Sequence, residues 1–458
     1  MMSIQSINPF NGELIKEYKE DTDEAIAEKI ESVQQAWMVY RETDDTARAA
    51  LLLKAADLLE ERKDQLANLM ALEMGKPLKQ GIAEVLKCAA VCKYYAENGA
   101  GFLADQFIET AASKSYVSFR PIGIVLAIMP WNFPLWQVFR FLAPALMAGN
   151  AGILKHSSGV TGCALAIEDI IRDAGFQQDV FKVLICNSKA IAAVIENPLV
   201  KAVTLTGSTN AGKTIAGQAG KALKKTVLEL GGSDPYLILA DADVPAAAKV
   251  CAEARLINNG QSCIAAKRFI VVKEVEEEFT RLFKYHIEHK QTGDPLKNDT
   301  DLGPMARADL RDELHQQVLK CIGQGATCIL GGKIPFADGE HAFYQPTILS
   351  GVKKGMLAYD EEIFGPVAAI ISAEDTNDAI RIANDTGFGL GAAVFSKDLS
   401  LAEDIARNRL HAGSCFVNEG VKSDPALPFG GIGQSGYGRE LGMFGNHEFV
   451  NIKTVYVK

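Results

Sequence analysis

The chain has 458 residues, of which 48% are hydrophobic and 23% are charged, and its formal net charge is −10. This length favours two or three domains over a single core, and the composition is typical of a folded, water-soluble protein. No block of basic residues accompanies the negative net charge, which argues against nucleic acid as the main partner.

The amino-terminal segment and the cysteines bear on the cellular compartment. Residues 1–10 lack the basic and apolar regions of a secretory signal, and apolar runs such as residues 122–129 are too short to span a membrane. The nine cysteines are scattered, with no repeating spacing and no accompanying histidine pattern. We therefore expect neither disulfides nor a metal site, and a cytoplasmic location with no membrane partner.

In chain order, the sequence predicts helices first and alternating strands and helices afterwards. Residues 22–100 carry apolar residues at helical spacing. From residue 123 to 206, strand-like apolar runs alternate with helical segments, and a second α/β stretch extends from about 235 to 415. This alternation is typical of a mostly parallel sheet with helices on its faces. A final strand over residues 451–457 is expected to pair with another domain or subunit.

One cysteine has a sequence neighbourhood that indicates covalent catalysis. Cys263 follows the turn-forming residues 258–262, and upstream of it Glu229 lies in an apolar stretch that ends in the pair Gly231-Gly232. A thiolate attacks a carbonyl carbon, and a neighbouring carboxylate can activate a thiol or a water molecule. Cys263 and Glu229 are therefore the first candidates for a catalytic pair.

Two glycine-rich motifs offer other interpretations. Residues 207–214 satisfy the phosphate-loop pattern G-x-x-x-x-G-K-T between a predicted strand and a predicted helix, with Asp241 as a candidate partner for magnesium. A phosphoryl-transfer enzyme is the rival hypothesis, although the same backbone N–H groups would also bind a dinucleotide pyrophosphate. Residues 431–436 fit G-x-G-x-x-G, but no strand leads into them and no acidic residue follows at the required distance. They are expected to form a structural loop.

Five sequence blocks occur in the order seen in the NAD(P)-dependent aldehyde dehydrogenase superfamily. They are Met129-Pro130-Trp131-Asn132-Phe133-Pro134, Leu228-Glu229-Leu230-Gly231-Gly232, Gly260-Gln261-Ser262-Cys263, Glu362-Ile363-Phe364-Gly365-Pro366 and Pro428-Phe429-Gly430-Gly431. The chain resembles this superfamily over essentially its whole length. The resemblance implies an α/β fold with a Rossmann-like parallel-sheet cofactor domain, an α/β catalytic domain and a small β bridging element.

The resemblance also implies a role for each catalytic residue. Cys263 would be the nucleophile that forms a thiohemiacetal, with a helix dipole or a base favouring its thiolate. Asn132 and the backbone N–H of Cys263 would hold the oxyanion. Glu229 would activate the water that hydrolyses the thioester. Members that pass the acyl group to coenzyme A lack this glutamate, so a free acid is the expected product.

The same resemblance implies a site for NAD or NADP. The matching residues are Gly207 and Ser208 at the pyrophosphate, Trp131 near the nicotinamide, Glu362 and Phe364 at the nicotinamide ribose, and Lys155 at the adenosine ribose. Strictly NAD-using members often carry a glutamate three residues after this lysine, where it repels a 2′-phosphate. Here the residue is Ser158, so NADP preference or dual use is expected.

The resemblance also implies a substrate with a carboxylate at the end far from the aldehyde. In members that oxidise succinate semialdehyde, an arginine and a serine at the positions of Arg140 and Ser423 bind that group, and Trp136 and Phe429 would be the apolar walls. Many such members have a second arginine where this chain has Ile257. A structural salt bridge is the other interpretation of Arg140, and a broader range of aliphatic aldehydes is the other substrate class.

The resemblance divides the chain into three parts. The cofactor-binding domain is expected over residues 1–101 and 123–231, and the catalytic domain over residues 232–438. Residues 102–122 and 439–458 are expected to form a bridging element that pairs with a neighbouring subunit. A homodimer or a homotetramer is expected.

Overall fold

The structure is a computed structural model, and it describes residues 3–335 and 341–458. The first residues of the predicted cofactor domain, residues 1 and 2, and residues 336–340 of the predicted catalytic domain lie outside this range. Within it, a two-stranded sheet that was not predicted comes first. The predicted helices over residues 22–100 and the α/β alternation then follow in order.

The strands of the described residues are numbered in chain order. They are β1 (Ser3–Ile7), β2 (Leu14–Lys19), β3 (Gln106–Phe107), β4 (Lys114–Pro121), β5 (Ile124–Met129), β6 (Ala151–His156), β7 (Phe181–Val183), β8 (Val200–Thr206), β9 (Lys225–Glu229), β10 (Pro235–Ile238), β11 (Arg268–Val272), β12 (Thr327–Leu330), β13 (Thr347–Ser350), β14 (Val367–Ala373), β15 (Gly391–Phe395), β16 (Ser414–Val417), β17 (Gly436–Tyr437) and β18 (Val450–Val457).

The helices are numbered in the same way. They are α1 (Asp23–Tyr40), α2 (Asp45–Glu61), α3 (Lys63–Met74), α4 (Leu78–Phe102), α5 (Trp136–Met147), α6 (Thr161–Asp173), α7 (Ile191–Glu196), α8 (Thr209–Lys221), α9 (Val244–Leu256), α10 (Lys273–Glu288), α11 (Ala308–Gly323), α12 (Leu357–Asp360), α13 (Thr376–Asn384), α14 (Leu399–Asp404) and α15 (Gly442–His447).

One sheet has six strands in the order β17-β9-β8-β5-β6-β7. The five strands from β9 to β7 are parallel, and β17 is antiparallel to β9. Because parallel strands end at the same edge, the residues that follow β5, β6, β8 and β9 meet along one line. The loop predicted over residues 431–436 is correct except at its end, since Gly436 begins β17.

A second sheet has seven strands in the order β12-β13-β14-β11-β10-β15-β16. All of its pairings are parallel except that of β12 with β13. The segment that contains Cys263 leads from α9 into the start of β11, so this sheet supports the cysteine while the six-stranded sheet supports Glu229.

A third sheet joins the end of the chain to its first half. Strand β18 pairs antiparallel with β4 from Val450 opposite Pro121 to Val457 opposite Lys114, and β3 pairs with the other side of β4. The predicted final strand therefore forms, and its partner within this chain is the strand that precedes β5. The division of the chain into three domains remains a prediction.

Helix α5 is the element that positions most of the site. Each of its residues from Trp136 to Met147 is buried, which is typical of a helix enclosed on all sides. Its first turn is capped by Glu84 of α4, whose Oε1 accepts hydrogen bonds from the backbone N–H groups of Leu135 and Trp136, each at 2.9 Å. Glu84 is ion-paired with the buried Lys76. This carboxylate fixes the start of α5 because it satisfies N–H groups that no helical carbonyl can reach.

Candidate active site

The carboxyl edge of the six-stranded sheet brings together residues that are far apart in the sequence. Trp131 and Asn132 follow β5, Gly207 follows β8, and Glu229 is the last residue of β9. Thr206 is in register with Glu229, and the N–H of Gly207 donates to the Glu229 carbonyl at 3.0 Å. Such an edge is where ligands bind in open parallel sheets, because the loops and helix amino termini converge there.

A left-handed run of backbone presents Cys263. Asn258, Asn259 and Gly260 have φ angles of 52°, 57° and 72°. A β-carbon on Gly260 would lie 2.3 Å from the carbonyl oxygen of Gly365, so this position requires glycine for space as well as conformation. The predicted block around Cys263 and the block that ends at Pro366 therefore pack directly against each other.

Lys267 fixes the peptide groups on both sides of the cysteine. Its buried Nζ donates to the carbonyls of Ser262, Cys263 and Ala265 at 2.9, 2.7 and 3.2 Å. It also lies 3.3 Å from Oε1 of Glu362. Burial lowers the pKa of Lys267, and the Glu362 carboxylate opposes that shift. One cation therefore holds the cysteine segment against a residue predicted to bind the nicotinamide ribose.

The surroundings of the thiol favour its neutral form. Burial raises the pKa of Cys263 to about 12, Lys267 and Arg140 act in the opposite direction, and Glu362 and Glu229 raise it further. The expectation that a dipole or base stabilises a resting thiolate is therefore not met in this arrangement, because desolvation outweighs the nearby cations. Attack by the sulfur thus requires transfer of its proton to a base.

Glu229 is a buried acid without a hydrogen-bond partner. It is 2% exposed, and neither carboxylate oxygen makes a hydrogen bond with the described residues. Burial raises its pKa well above the ordinary value; Arg140 and Arg439 oppose the shift, and Glu440 adds to it. A β-carbon on Gly430 would lie 2.7 Å from Glu229 Oε1, so glycine leaves room for the carboxylate. A carboxylate with a raised pKa is a base strong enough to take a proton near neutral pH.

Asn132 is joined to the cysteine segment by its side chain and its backbone. Its Nδ2 donates to the carbonyl of Gln261 at 3.0 Å. Its own carbonyl accepts from Lys76 Nζ at 3.0 Å and from Asn258 Nδ2 at 2.7 Å. The amide is 4% exposed, so it is fixed close to Cys263, where an oxyanion could accept from it.

The predicted nicotinamide residues come from both large sheets. The rings of Trp131 and Phe364 meet edge to face with centroids 5.9 Å apart. Glu362 Oε1 accepts from the N–H of Gly232 at 3.1 Å, and a β-carbon on Gly231 would lie 2.4 Å from its Oε2. Glycines after β9 therefore leave space for the Glu362 carboxylate.

The predicted phosphate and adenosine residues lie along the same edge. Ser208 caps α8, because its side chain accepts from the N–H of Ala211 at 3.3 Å. Lys155 in β6 is half-buried, and burial lowers its pKa. No carboxylate in the described part of the chain lies within 4 Å of its Nζ. Ser158 is exposed at the start of a short 3₁₀ turn after β6.

A cavity of about 570 Å³ connects the cysteine with the predicted substrate residues. Cys263, Trp136, Arg140, Ser423 and Phe429 all line it. Apolar side chains and several charged ones line it together, which suits a small organic ligand that carries a charge. All four residues predicted to bind the substrate are therefore brought to one space with the candidate nucleophile.

Arg140 is engaged in an ion pair within the protein. It pairs with Glu440, and the side chain of each is 4% exposed. Arg140 Nη2 also donates to Thr206 Oγ1 at 3.2 Å, and the guanidinium lies 4.7 Å from the centre of the Phe429 ring. Burial raises the pKa of Glu440, and the attraction of Arg140 opposes that shift. Arg140 is thus part of a salt bridge and of the cavity wall at the same time.

Ser423 is held by two donors. Its Oγ accepts from Trp136 Nε1 at 3.1 Å and from Lys87 Nζ at 2.7 Å. A hydroxyl that accepts two hydrogen bonds still has its own proton to donate, which leaves Ser423 able to donate to an anion in the cavity. Lys87 also lies 4.3 Å from the centre of the Trp136 ring.

The phosphate-loop motif does not assemble a magnesium site. Lys213 is exposed, and Asp241 accepts hydrogen bonds from Ser396 and from the backbone N–H groups of Lys397 and Asp398. No cluster of metal-ligating side chains occurs among the described residues. Residues 431–436 instead support the site, since Ser435 Oγ donates to the carbonyl of Gly231 at 2.6 Å.

Sequence reasoning missed the side chains that support the predicted ones. Glu84, Lys87, Lys267 and Glu440 are charged residues within helices or loops, and no local pattern marks them. Only their burial beside Trp136, Cys263 and Arg140 identifies them. A buried charge is costly without a partner, so its partners point to the site.

The comparisons with known proteins agree with this geometry. A family model described as the aldehyde dehydrogenase family matches residues 2–455. A succinate-semialdehyde dehydrogenase (NADP+) from Mycobacterium leprae is 45% identical over 459 residues, which cover 100% of both chains. No helix of the described residues is long and apolar enough to cross a membrane.

Two solved structures show the same architecture over their full length. The crystal structure of succinic semialdehyde dehydrogenase from Streptococcus pyogenes, in complex with NADP+, has a TM-score of 0.96 and 36% identity and covers 99% of both chains. An E. coli NADP-dependent enzyme has a TM-score of 0.95 and 32% identity and covers 99% of this chain and 94% of its own. The chain therefore belongs to the aldehyde dehydrogenase family, as the family model, the 45% identity and the shared fold show.

Proposed function

We propose that this enzyme oxidises succinate semialdehyde to succinate, with NADP as the preferred oxidant and NAD as the alternative. The observation that carries the proposal is that one cavity contains Cys263 together with the cations Lys87 and Arg140 and the hydroxyl of Ser423. The nucleophile would react with the aldehyde, and the anion-binding groups elsewhere in the cavity would bind a carboxylate. This arrangement favours an aldehyde with a distal carboxylate. The names of the relatives from Mycobacterium leprae and Streptococcus pyogenes support this choice.

The first chemical step is attack by Cys263 Sγ on the aldehyde carbon. The carbon–sulfur bond forms as the carbonyl π bond opens, and the thiol proton passes to a base, for which Glu229 is the buried candidate. The negative charge on oxygen is stabilised by the Asn132 amide and the backbone N–H of Cys263. When bound, the nicotinamide accepts a hydride from this carbon, which leaves a thioester on Cys263.

The second step is hydrolysis of that thioester. Glu229 first releases the thiol proton to solvent. It then accepts a proton from water as the water oxygen attacks the thioester carbon. The carbon–sulfur bond then breaks, which releases the carboxylic acid and restores the sulfur. A carboxylate whose pKa is raised by burial suits this role, because it is a stronger base than an exposed glutamate.

The residues at the carboxyl edge of the six-stranded sheet fit the cofactor. Lys155 is a half-buried cation with no carboxylate within 4 Å in the described residues, and Ser158 beside it adds no negative charge. These two residues would hold the adenosine ribose and a 2′-phosphate. Gly207 and Ser208 at the start of α8 would receive the pyrophosphate. Glu362, Phe364 and Trp131 would hold the nicotinamide end.

The test is steady-state formation of reduced cofactor with two aldehydes of equal chain length, succinate semialdehyde and butanal. The proposal requires succinate semialdehyde to have the higher kcat/KM, by about 100-fold or more if a buried charged contact is used. NADP and NAD are compared in parallel. Equal rates with both aldehydes would instead favour an enzyme for a broader range of aliphatic aldehydes.

A pair of variants separates the two interpretations of Arg140. Arg140→Met removes the cation, whereas Glu440→Gln removes its partner but keeps the cation. If Arg140 binds the substrate, only Arg140→Met lowers the preference for succinate semialdehyde over butanal. If Arg140 is structural, both variants lose thermal stability and neither alters that preference.

We further propose that the protein is a homodimer or a homotetramer and that its three predicted domains are as assigned above. Strand β18 is at the edge of its sheet, and Ile452, Tyr456 and Val457 on it are exposed, as is Phe107 on β3. An exposed apolar edge strand invites pairing with another chain. Light scattering would measure the mass, and a charge introduced at Ile452 should reduce it.

A further inference from the structure

Several cations line the cavity, and most are neutralised within the protein. Arg140 pairs with Glu440, and the remaining ion pairs are Lys76 with Glu84, Lys79 with Asp301, and Lys422 with Glu419. An ion-paired cation in a buried site offers little attraction to a new anion, because its partner already compensates its charge. The charge that binds a carboxylate is therefore expected on a cation without such a partner.

Lys87 is such a cation. It is half-buried on α4, and no carboxylate in the described part of the chain lies within 4 Å of its Nζ. The ammonium is instead fixed by neutral groups, 2.7 Å from Ser423 Oγ and 4.3 Å from the centre of the Trp136 ring. Lys290 also lines the cavity without an ion pair, but among the described residues it makes no hydrogen bond with Ser423 or Trp136.

The contacts of Lys87 prepare it for an anion. A hydroxyl oxygen and a ring face orient an ammonium group without cancelling its charge. Ser423 accepts from Lys87 and from Trp136, so its own proton is free to donate to the same anion. The position of the absent second arginine, Ile257, lines the same cavity with an apolar side chain.

We propose that Lys87, together with the Ser423 hydroxyl, binds the distal carboxylate of the aldehyde and supplies the positive charge that Ile257 does not. This inference rests on the proposed function, because it requires a substrate with a distal carboxylate. Arg140 then supports the wall of the cavity, through its pair with Glu440 and its contact with Phe429. Lys87 is thus a specificity-determining residue that the sequence blocks do not contain.

The decisive variants are Lys87→Met and Lys87→Arg. The methionine keeps an unbranched side chain without charge, and the arginine keeps the charge. The measured quantity is the ratio of kcat/KM for succinate semialdehyde to that for butanal, with NADP as oxidant. Lys87→Met should lower this ratio about 10- to 100-fold, the range of a lost hydrogen bond to a charged group, with the loss falling on KM more than on kcat. Lys87→Arg should retain most of the wild-type ratio.

A pH profile separates a charge effect from a packing effect. Burial lowers the pKa of Lys87 to about 8, and the neighbouring Arg140 adds to that shift. The other groups that act on its charge are Glu84, Cys88 and Asp424. Below about pH 8 Lys87 is charged and binds the carboxylate, and above it the charge is lost. The wild-type ratio should therefore fall from about pH 7 to about pH 9, and the ratio of Lys87→Arg should stay level.

The outcomes distinguish this inference from the proposed function. If the wild-type enzyme does not prefer succinate semialdehyde over butanal, the proposed substrate is wrong, and this role of Lys87 falls with it. If the wild type has the preference and Lys87→Met retains it, the inference alone is overturned. If Lys87→Met and Lys87→Arg both lose the preference for succinate semialdehyde and the wild-type ratio does not change with pH, Lys87 has a packing role. That result would also overturn the inference.

Discussion

Two groups of residues, which meet where Cys263 lines the cavity, differ in how they treat buried charge. The reaction group consists of Cys263, Glu229 and Asn132, and the recognition group of Lys87, Arg140, Ser423 and Trp136. Glu229 has no hydrogen-bond partner among the described residues, and burial favours the neutral forms of Glu229 and Cys263. In the recognition group, Arg140 has an acidic partner, and Lys87 is oriented by a hydroxyl and a ring.

The difference follows from what each group has to do. A residue that changes its protonation during a reaction must not be fixed in one charge state, and a desolvated, unpartnered acid meets that need. A residue that recognises an anion must keep its charge and its position, and at Lys87 two neutral groups, the Ser423 hydroxyl and the Trp136 ring, hold the ammonium without cancelling its charge. The following predictions test this contrast, from the largest expected effect to the smallest.

Cys263→Ala removes the only atom that can form the covalent bond in the proposed reaction. Oxidation of succinate semialdehyde should fall by about 10⁴-fold or more, because no other group can hold the thioester. Binding of NADP, followed by fluorescence of the reduced form or by calorimetry, serves as the control for folding. Substantial remaining activity would mean that the reaction group has been assigned wrongly.

Glu229→Gln should separate the two halves of the reaction. Steady-state turnover is expected to fall about 10²- to 10⁴-fold, because hydrolysis of the thioester loses its base. If another base accepts the thiol proton, a rapid burst of one reduced cofactor per active site should precede the slow phase in stopped-flow absorbance. A slow phase without a burst would show that Glu229 is needed for the first step too.

The same Glu229→Gln variant should be more stable than the wild type at neutral pH. The pKa of Glu229 is raised in the folded state, so its contribution to stability is complete below the ordinary pKa of a glutamate and is lost as the pH rises through the folded value. Glutamine removes that loss. Thermal unfolding should therefore give a higher Tm for the variant near pH 7 and a smaller difference near pH 4, and the reverse order would contradict an unpartnered acid.

Glu440→Gln tests whether the two groups are coupled, because Glu440 pairs with Arg140 and raises the pKa of Glu229. Removing this negative charge should lower the pKa of Glu229, so the acid limb of the kcat profile should move to lower pH. The unpaired Arg140 should also cost about 3–5 kcal/mol of stability, as for other broken buried pairs. An unchanged acid limb in a folded variant would show that the two groups are not coupled.

Ser158→Glu changes the charge at an exposed site instead of a buried one. A carboxylate at this position should repel the 2′-phosphate and raise the KM for NADP about tenfold, equivalent to about 1.4 kcal/mol, with little change for NAD. Ser158→Gln is the matched neutral control. Solvent screening should make this effect smaller at high salt, unlike the effects in the cavity. Equal KM changes for both cofactors would contradict the proposed role.

The sequence by itself determined the fold class, the family and the candidates for the catalytic residues. The final strand expected over residues 451–457 is observed as β18 over Val450–Val457, because its valine, isoleucine, threonine and tyrosine side chains favour extended backbone. The blocks around Asn132, Glu229 and Cys263 are local patterns, and the one that contains Cys263 has a glycine where the backbone requires it, at Gly260, so they can be found without coordinates.

Only the tertiary structure decided how charge is distributed in the cavity. Lys87 is 336 residues from Ser423, and Arg140 is about 300 residues from Glu440, so no local pattern links the members of either pair. The same is true of the protonation preferences of Cys263 and Glu229, which depend on desolvation by many distant residues. A sequence motif names the reacting atoms, whereas the free energy of each charge depends on everything that packs around it.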